Sequence, residues 1–312
     1  MVTESTPKVS VILPTYNMAG YVAGAVESIR AQTFQDWELI VIDDGSSDGT
    51  GDVIAPLLAD PRVRYHYQKN AGLSAARNAG LAHASGQYVG LIDADDLWLP
   101  TKLQAQVPIL DTHPNVGVVY GRLSRIDAQG RVFGEPSIAG PSGRIINELF
   151  KFNVVPVGST LFRLGIVNRV IGFDTRLKMA EDWDFWLRLA VEYDFCCIDE
   201  VVYLYRVWGG QMSKNWRGRY DAAFDIMERF VAANPGVISA GTWREAMSSS
   251  FFNRARDRVS AQRDFGGGFG DLGNALRHGG SVKRAVKTGV RFVLEAVRLL
   301  TPPSYDRHGP GF

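Results

Sequence analysis

Over the first third of the chain, short apolar runs typical of β-strands alternate with segments of helical periodicity. The strand-like runs are KVSVILP, WELIVIDD, VRYHYQ and QYVGLID, and the segments between them include AGAVESIRAQ and LSAARNAGLAHA. Because runs such as ELIVI are continuously apolar, these strands are expected to be covered on both faces. The sequence therefore predicts an α/β fold in which a mixed, mainly parallel sheet is flanked by helices.

Polar residues gather where three of the predicted strands end. Ligands of such sheets bind beyond the carboxyl ends of the strands. Turn formation or helix capping would explain any one cluster, but three clusters on one edge favour a binding site. The clusters are Thr15, Tyr16 and Asn17 after VSVILP, Asp43 and Asp44 after ELIVI, and Asp93, Ala94, Asp95 and Asp96 after YVGLI.

Composition narrows the class of protein. A chain of 312 residues that is 46% hydrophobic can bury a large core in one or two domains. The formal charge of +1 gives no overall field for nucleic acid. Cys196 and Cys197 are adjacent, so free thiols are expected rather than a disulfide. Without a signal-like start or a membrane-spanning run, the sequence predicts a cytoplasmic protein, either free or peripheral at the inner face of the membrane.

Four stretches of the sequence carry a family resemblance. VSVILPTYNMAGYVAGAVESIRAQTFQDWELIVIDDGSSDGT and NAGLSAARNAGLAHASGQYVGLIDADDLWLP resemble the nucleotide-sugar domain of family 2 glycosyltransferases, and the resemblance resumes at MAEDWDFWLRLA and YRVWGGQMS. It implies the Rossmann-like GT-A fold. The implied catalytic domain spans 1–215, with a nucleotide-sugar half (1–100) and an acceptor half (101–215), and a C-terminal helical region follows over 216–312.

The resemblance also implies roles for individual residues on the donor side. Asp95, together with Asp93 of the DxD motif, is the implied ligand of Mn²⁺ or Mg²⁺. A hard cation shared with a diphosphate would explain why acidic residues crowd the end of a strand. The implied nucleotide-sugar-binding residues are Pro14, Thr15, Tyr16, Asn17, Asp43, Asp44, Asn70, Gly72, Arg77, Asp93, Ala94 and Arg206.

The segment MAEDWDF resembles the catalytic motif of the same family. There Asp182, with Glu181 beside it, would act as the general base that deprotonates an acceptor hydroxyl, which gives single displacement with inversion. An acidic first turn of a helix is the alternative interpretation. Trp183 and Trp208 are candidates for contact with the acceptor, because aromatic faces stack on sugars. Trp208 stands where many relatives carry a histidine, so an imidazole metal ligand is not expected from this loop.

The implied donor is a UDP-sugar, with dTDP and GDP as further candidates, and the implied acceptor is a glycan or a lipid-linked saccharide. Two other functions compete with a transferase. A nucleotidyltransferase would need a basic loop after the first strand, which LPTYNMAGY does not provide. A non-catalytic nucleotide-sugar-binding protein would be expected to lack Asp95 or Asp182. The oligomeric state is not indicated by the sequence.

Two C-terminal patterns remain. Residues 282–300 form a basic amphipathic helix with valines along one stripe, which suits either contact with a membrane surface or packing on the catalytic domain. GFGDLG formally fits a dinucleotide-binding motif, but it follows a predicted helix rather than a strand, so it is interpreted as a glycine-rich loop.

Overall fold

The computed structural model describes residues 6–211 and 215–300 and confirms the predicted α/β fold. The strands are β1 (Val9–Thr15), β2 (Trp37–Asp43), β3 (Val63–Tyr67), β4 (Tyr88–Leu91), β5 (Leu97–Trp98), β6 (Val116–Ile126), β7 (Val132–Phe133), β8 (Leu161–Arg163) and β9 (Asp194–Arg206). The helices are α1 (Val22–Arg30), α2 (Thr50–Ile54), α3 (Leu73–His83), α4 (Lys102–Thr112), α5 (Ile146–Lys151), α6 (Val167–Val170), α7 (Glu181–Ala190), α8 (Trp216–Ala233), α9 (Ala240–Gln262), α10 (Phe265–Arg277) and α11 (Val282–Leu300).

The chain forms two compact units, the first ending at Val237 and the second beginning at Ile238. The sequence places the domain boundary earlier, before residue 216. Helix α8 packs on α7 and lies within the first unit, so the division by contacts falls after this helix. The helical C-terminal extension is present as α9, α10 and α11.

The sheet of the first unit has the strand order β3-β2-β1-β4-β8-β6-β9-β5, and β7 pairs with β6. The strands from β3 to β4 are parallel, whereas β8 runs antiparallel to both of its neighbours. Every residue of β1 and β2 is buried, as their continuously apolar runs predict. Helices α1 and α4 cover one face of this part of the sheet and α3 covers the other.

Strand register brings the polar clusters to one edge of the sheet. Thr15 at the end of β1 lies opposite Asp43 at the end of β2, and Ile12 lies opposite Leu91 at the end of β4. Because these strands are parallel, their carboxyl ends and the loops that follow share one edge. A short β5 then pairs with β9, with Leu97 opposite Leu204, which brings the loop after β4 against the end of β9.

A glycine sets the position of α3 on the sheet. A Cβ built at Gly80 would lie 2.3 Å from Cγ2 of Ile12 on β1, so only glycine allows this approach of helix and strand. Arg77 lies one helical turn before Gly80 and is therefore carried to the carboxyl edge of the sheet.

The second unit is helical and has its own apolar core. The core side chains are Phe252, Ala255, Val259, Leu272, Ala275, Ala285 and Phe292. The glycine-rich stretch is helical within α10, so the expectation of a loop was wrong. Packing explains a glycine within this helix, because a Cβ at Gly268 would lie 2.7 Å from Val259 Cγ2 and 3.1 Å from Phe292 Cε2. Within the described residues, the chain has no helix whose length and apolarity would suffice for a membrane span.

Candidate active site

The loops after β1 and β2 are tied together by Asn17. Its φ angle is 52°, a left-handed conformation that asparagine tolerates. Its backbone N–H donates to the Ser46 hydroxyl and its side-chain oxygen accepts from the Ser47 N–H, both at 2.9 Å. Residues 14 and 15 are the buried end of β1, whereas Tyr16 is 49% exposed. Asn17 therefore organises the loops, and Tyr16 offers an open aromatic face.

The carboxylates of Asp43 and Asp44 are both buried and hydrogen-bonded. Asp43 accepts from the Tyr65 hydroxyl at 2.7 Å. Asp44 accepts from the backbone N–H groups of Ala71 and Gly72 at 2.9 and 2.8 Å, which fixes the segment leading into α3. These two buried acidic residues thus fix the loops that surround the carboxyl ends of β1 and β2.

The segment before α3 leaves an open rim. Asn70 is exposed and lies against Gly45, where a Cβ would be 2.9 Å from the Asn70 nitrogen. Gly72 precedes the helix with a φ of 93° and brings no side chain over its first turn. Backbone N–H groups at a helix N-terminus attract anionic ligands, so this rim suits a phosphate-bearing molecule.

Arg77 joins two of the predicted motifs. Its side chain is 1% exposed and donates from Nη2 to Asp93 Oδ1 at 2.8 Å and from Nη1 to Glu181 Oε1 at 2.6 Å. Burial alone would lower the pKa of Arg77, but the two carboxylates raise it above its usual value. The resemblance predicts Arg77 beside the nucleotide and phosphates. The structure instead shows it as a buried link between the end of β4 and the start of α7.

Trp208 is hydrogen-bonded to the predicted metal ligand. Its indole Nε1–H donates to Asp95 Oδ2 at 2.7 Å, and its ring lies 5.3 Å from the ring of Tyr21. A Cβ at Gly210 would lie 2.4 Å from the indole, so glycine makes room for the ring. Burial raises the pKa of Asp95, the Trp208 hydrogen bond opposes this, and the charge of Asp93 adds to it. Trp208 therefore acts on Asp95 directly, a contact that the sequence does not indicate.

Asp96 and Arg206 fasten the loop after β4 to the end of β9. Asp96 accepts hydrogen bonds from the Tyr203 hydroxyl and, at 2.7 Å, from the Arg206 backbone N–H. Burial, with the charges of Asp95 and Asp93, raises the pKa of Asp96 well above its usual value. The Arg206 guanidinium donates to the carbonyls of residues 95, 127 and 128. Within the part of the chain that the structure describes, the Arg206 guanidinium is thus bonded to backbone carbonyls and forms no ion pair.

Asp182 lies in the first turn of α7. Its Oδ2 accepts from Asn153 Nδ2 at 3.0 Å and its Oδ1 accepts from the Trp183 N–H at 2.8 Å. Burial and the adjacent Glu181 charge raise the pKa of Asp182 to about 6, although Arg77 and the two hydrogen bonds act in the opposite direction. A carboxylate with this pKa is ionised at neutral pH and more basic than an ordinary one, as a general base requires. Asn153 carries no sequence signal for this contact.

The structure does not bring Trp183 to the surface. Its side chain is 5% exposed, and its indole N–H donates to the Leu149 carbonyl at 2.7 Å. Both faces of the ring are therefore committed to the core, which leaves no face for a sugar. Of the two tryptophans predicted to contact an acceptor, only Trp208 lies at the carboxyl edge of the sheet.

The carboxyl edge can supply two oxygen ligands to a hard cation. The side chain of Asp93 is 30% exposed, and Oδ2 of Asp95 accepts the Trp208 hydrogen bond. Within residues 6–211 and 215–300, no group of three or more histidine, cysteine or acidic side chains is arranged around a common metal position. Two carboxylates fit Mg²⁺ or Mn²⁺ only if the remaining ligands come from water and from a bound phosphate.

The sequence matches the family described as Glycosyl transferase family 2 over residues 10–167, about half of the chain. An uncharacterized glycosyltransferase of Rickettsia typhi is 34% identical over 248 residues, which cover 77% of this chain and 74% of that protein. The chain therefore belongs to glycosyl transferase family 2 and carries an enzyme domain of the glycosyltransferase type. This membership decides against the nucleotidyltransferase alternative.

Solved structures share the fold. S. aureus TarS 1-349 in complex with UDP-GlcNAc has a TM-score of 0.66 at 19% identity, over 96% of this chain and 94% of that one. The mannosyltransferase PcManGT from Pyrobaculum calidifontis, in complex with GDP-Man and Mn²⁺, has a TM-score of 0.63 at 21% identity, over 96% and 82%. These similarities confirm the predicted GT-A fold.

Several sequence relatives are longer than the matched part. The alignment covers 38% of the length of an uncharacterized glycosyltransferase from Rickettsia felis and 42% of one from Nostoc sp.. The aligned part of this chain therefore spans less than half of the length of each of those two proteins.

Proposed function

We propose that this chain is an inverting glycosyltransferase that moves a sugar from a nucleotide-diphosphate donor, a UDP-sugar, to a hydroxyl of a glycan or lipid-linked acceptor. The observation that carries the proposal is the pair of bonds made by Arg77. Because one guanidinium binds both Asp93 and Glu181, the end of β4 and the first turn of α7 lie side by side. A cation-binding edge and a basic carboxylate, Asp182, thereby border one site.

On the donor side, the nucleotide would lie on the rim formed by Tyr16, Asp44 and Asn70. The diphosphate would extend toward Gly72 and the first N–H groups of α3. Asp93 and Asp95 would hold Mn²⁺ or Mg²⁺, which supplies positive charge to the departing diphosphate. Arg77 keeps Asp93 in place, and Trp208 does the same for Asp95.

On the acceptor side, Asp182 would accept the proton of the attacking hydroxyl. The new bond forms between the acceptor oxygen and the anomeric carbon, while the bond from that carbon to the diphosphate oxygen breaks. A single displacement of this kind inverts the configuration, so an α-linked donor gives a β-linked product. Asn153 and the Trp183 N–H fix the orientation of the Asp182 carboxylate during the transfer.

The proposal is tested by nucleotide release from UDP-, GDP- and dTDP-sugars, each with Mn²⁺, with Mg²⁺ and with a chelator. One donor should be turned over in a metal-dependent way, with UDP-sugars first among the candidates. Binding of the same donors is measured in parallel by calorimetry. Metal-dependent binding with no transfer to any saccharide tested would favour the non-catalytic alternative, and no binding of any donor would contradict the proposal.

Trp208→His should bind Mn²⁺ about tenfold more tightly than the parent chain. The indole N–H is only a hydrogen-bond donor and occupies an oxygen of Asp95, whereas imidazole offers a lone pair to the metal. Trp208→Phe is the control, since it removes the hydrogen bond without adding a ligand. Affinities come from Mn²⁺ titrations followed by electron paramagnetic resonance. The idea fails if His and Phe at this position give the same affinity.

A further inference from the structure

Among the side chains of helix α11 that the structure describes, two are buried within the second unit. Ala285 and Phe292 are buried, and the Phe292 ring lies 5.6 Å from the Phe269 ring of α10. With 100° between successive residues, these two side chains point in nearly the same direction. The buried contact to α9 and α10 is therefore centred on this face rather than on the valine stripe.

The valine stripe of α11 is instead exposed. We use the term valine face for Val282, Val286, Val290, Val293 and Leu294, whose exposed fractions are 66, 60, 52, 53 and 57%. On α10, Phe269 and Leu276 are also exposed, and they line one groove together with Val286, Val290 and Val293. Contiguous apolar surface of this kind marks an interaction site.

Positive charge flanks the valine face. Lys283, Lys287 and Arg291 are exposed along one side of it and form no ion pair with the described part of the chain. The single acidic residue of α11, Glu295, is directed away from the valine face by its position on the helix. The long aliphatic stems of lysine and arginine let these residues lie beside apolar material while their charges stay in water.

The charge of the chain is divided between its two units. Residues 238–312 contain 12 Lys and Arg against 6 Asp and Glu, whereas residues 1–237 contain 22 against 27. Although the net charge of the whole chain is close to zero, its second unit is therefore basic. A second copy of the same surface would bring like charges together, whereas a sheet of anionic headgroups complements them.

We propose that the second unit docks on an anionic lipid bilayer through the valine face. Val282 to Leu294 would enter the boundary between headgroups and acyl chains, and Lys283, Lys287 and Arg291 would bind lipid phosphates. The helix lies on the bilayer and does not cross it. Docking needs no donor, cation or acceptor, so it can be tested independently of the proposed sugar transfer.

The test is co-sedimentation of the full chain with vesicles of phosphatidylcholine alone or of an equal mixture with phosphatidylglycerol. The chain should bind the mixed vesicles at least tenfold more tightly, and added salt should weaken binding. The variant Val286→Asp/Val290→Asp should lose at least tenfold in affinity for the mixed vesicles. Ile138→Asp/Ile171→Asp is the matched control, because it places the same two charges on apolar residues of the first unit that are both 90% exposed.

A second variant tests whether the loss of binding in Val286→Asp/Val290→Asp could come from a folding defect. Lys283→Gln/Lys287→Gln/Arg291→Gln leaves the apolar side chains intact and should lose both tenfold or more in affinity and the salt dependence. Equal binding to neutral and anionic vesicles, or full binding by either variant, would overturn the proposal. So would a chain that ignores vesicles but forms a dimer that Val286→Asp/Val290→Asp converts to a monomer, since the valine face would then join two copies.

Discussion

Asp182→Asn lowers kcat by about a hundredfold to ten-thousandfold and leaves donor affinity close to that of the parent, which is the range expected when a general base is removed. The amide has the shape of the carboxylate but cannot take a proton. Nucleotide release is measured with saturating donor, with water as acceptor until the natural acceptor is known, and donor affinity is measured by calorimetry.

Asp184→Asn is the matched control on the same helix. Asp184 also lies in the first turn of α7, but it pairs with Arg188 at 2.7 Å rather than with the residues of the site. Its replacement should leave kcat nearly unchanged. If Asp182→Asn transfers at the parent rate, or if both variants lose activity equally, Asp182 is not the base.

The pH dependence of kcat/KM tests the role of Asp182 independently. A base must be unprotonated, and the pKa of Asp182 is raised to about 6, so kcat/KM should fall tenfold per unit as the pH drops below about 6. Above that value the carboxylate is charged and this limb is flat. Because asparagine does not titrate, the limb should vanish in Asp182→Asn, and its persistence there would assign it to another group.

Arg77→Met lowers the free energy of unfolding by about 3–5 kcal/mol, the usual result of removing one partner from a buried ion pair. Glu181, whose side chain is 8% exposed, would be left charged without its partner. For a unit of this size the melting temperature should drop on the order of 10 °C. Thermal unfolding followed by circular dichroism measures the change.

Two further variants test whether the loss of stability comes from the burial of the ion pair or simply from the removal of an arginine charge. Arg131→Met removes an arginine that is 76% exposed and paired with Asp127, so it should cost about 0–1 kcal/mol. Arg77→Met/Glu181→Gln should be more stable than Arg77→Met, because the second change neutralises the stranded carboxylate. The account is wrong if Arg77→Met is as mild as Arg131→Met or if the double variant recovers nothing.

The arrangement of the sheet was predictable because strands and helices leave local periodic patterns. The continuous apolar runs of β1 and β2 indicate burial on both faces, and parallel pairing then brings the polar clusters that follow to one edge. The hairpin of β6 and β7 is also signalled locally, by the turn at AQG. These inferences need only neighbouring residues.

The partners of the site residues were not predictable in the same way. Arg77 and Glu181 are separated by 104 positions, and Trp208 and Asp95 by 113. Nothing in a local pattern says which arginine meets which carboxylate, because that is decided by how α3, α7 and β9 pack on the sheet. The same limit applies to Asn153, which reaches Asp182 from a less regular segment.

In α10 and α11, tertiary packing determined features that the local sequence pattern did not predict. The glycines of α10 are turn formers by preference, yet they lie in a helix, and Gly268 sits against Val259 and Phe292 where a Cβ would not fit. In α11 the amphipathic stripe was evident, but two side chains elsewhere on the helix, Ala285 and Phe292, make the buried contact. Amphipathicity alone does not say which face packs and which face meets a partner.

The bonds made by Arg77 have an electrostatic consequence for ligand binding. The carboxyl edge holds two buried guanidinium groups, those of Arg77 and Arg206, and Arg77 is already paired with two carboxylates. The acidic side chains there are Asp93, Asp95, Glu181 and Asp182, together with Asp96, whose raised pKa favours its neutral form. The proposed cation would supply the positive charge that a diphosphate needs beside these carboxylates. Under the proposed function, donor and divalent cation each raise the affinity for the other by the same factor. The free cation concentration would then set how much of the enzyme carries a donor, before any bond is made or broken.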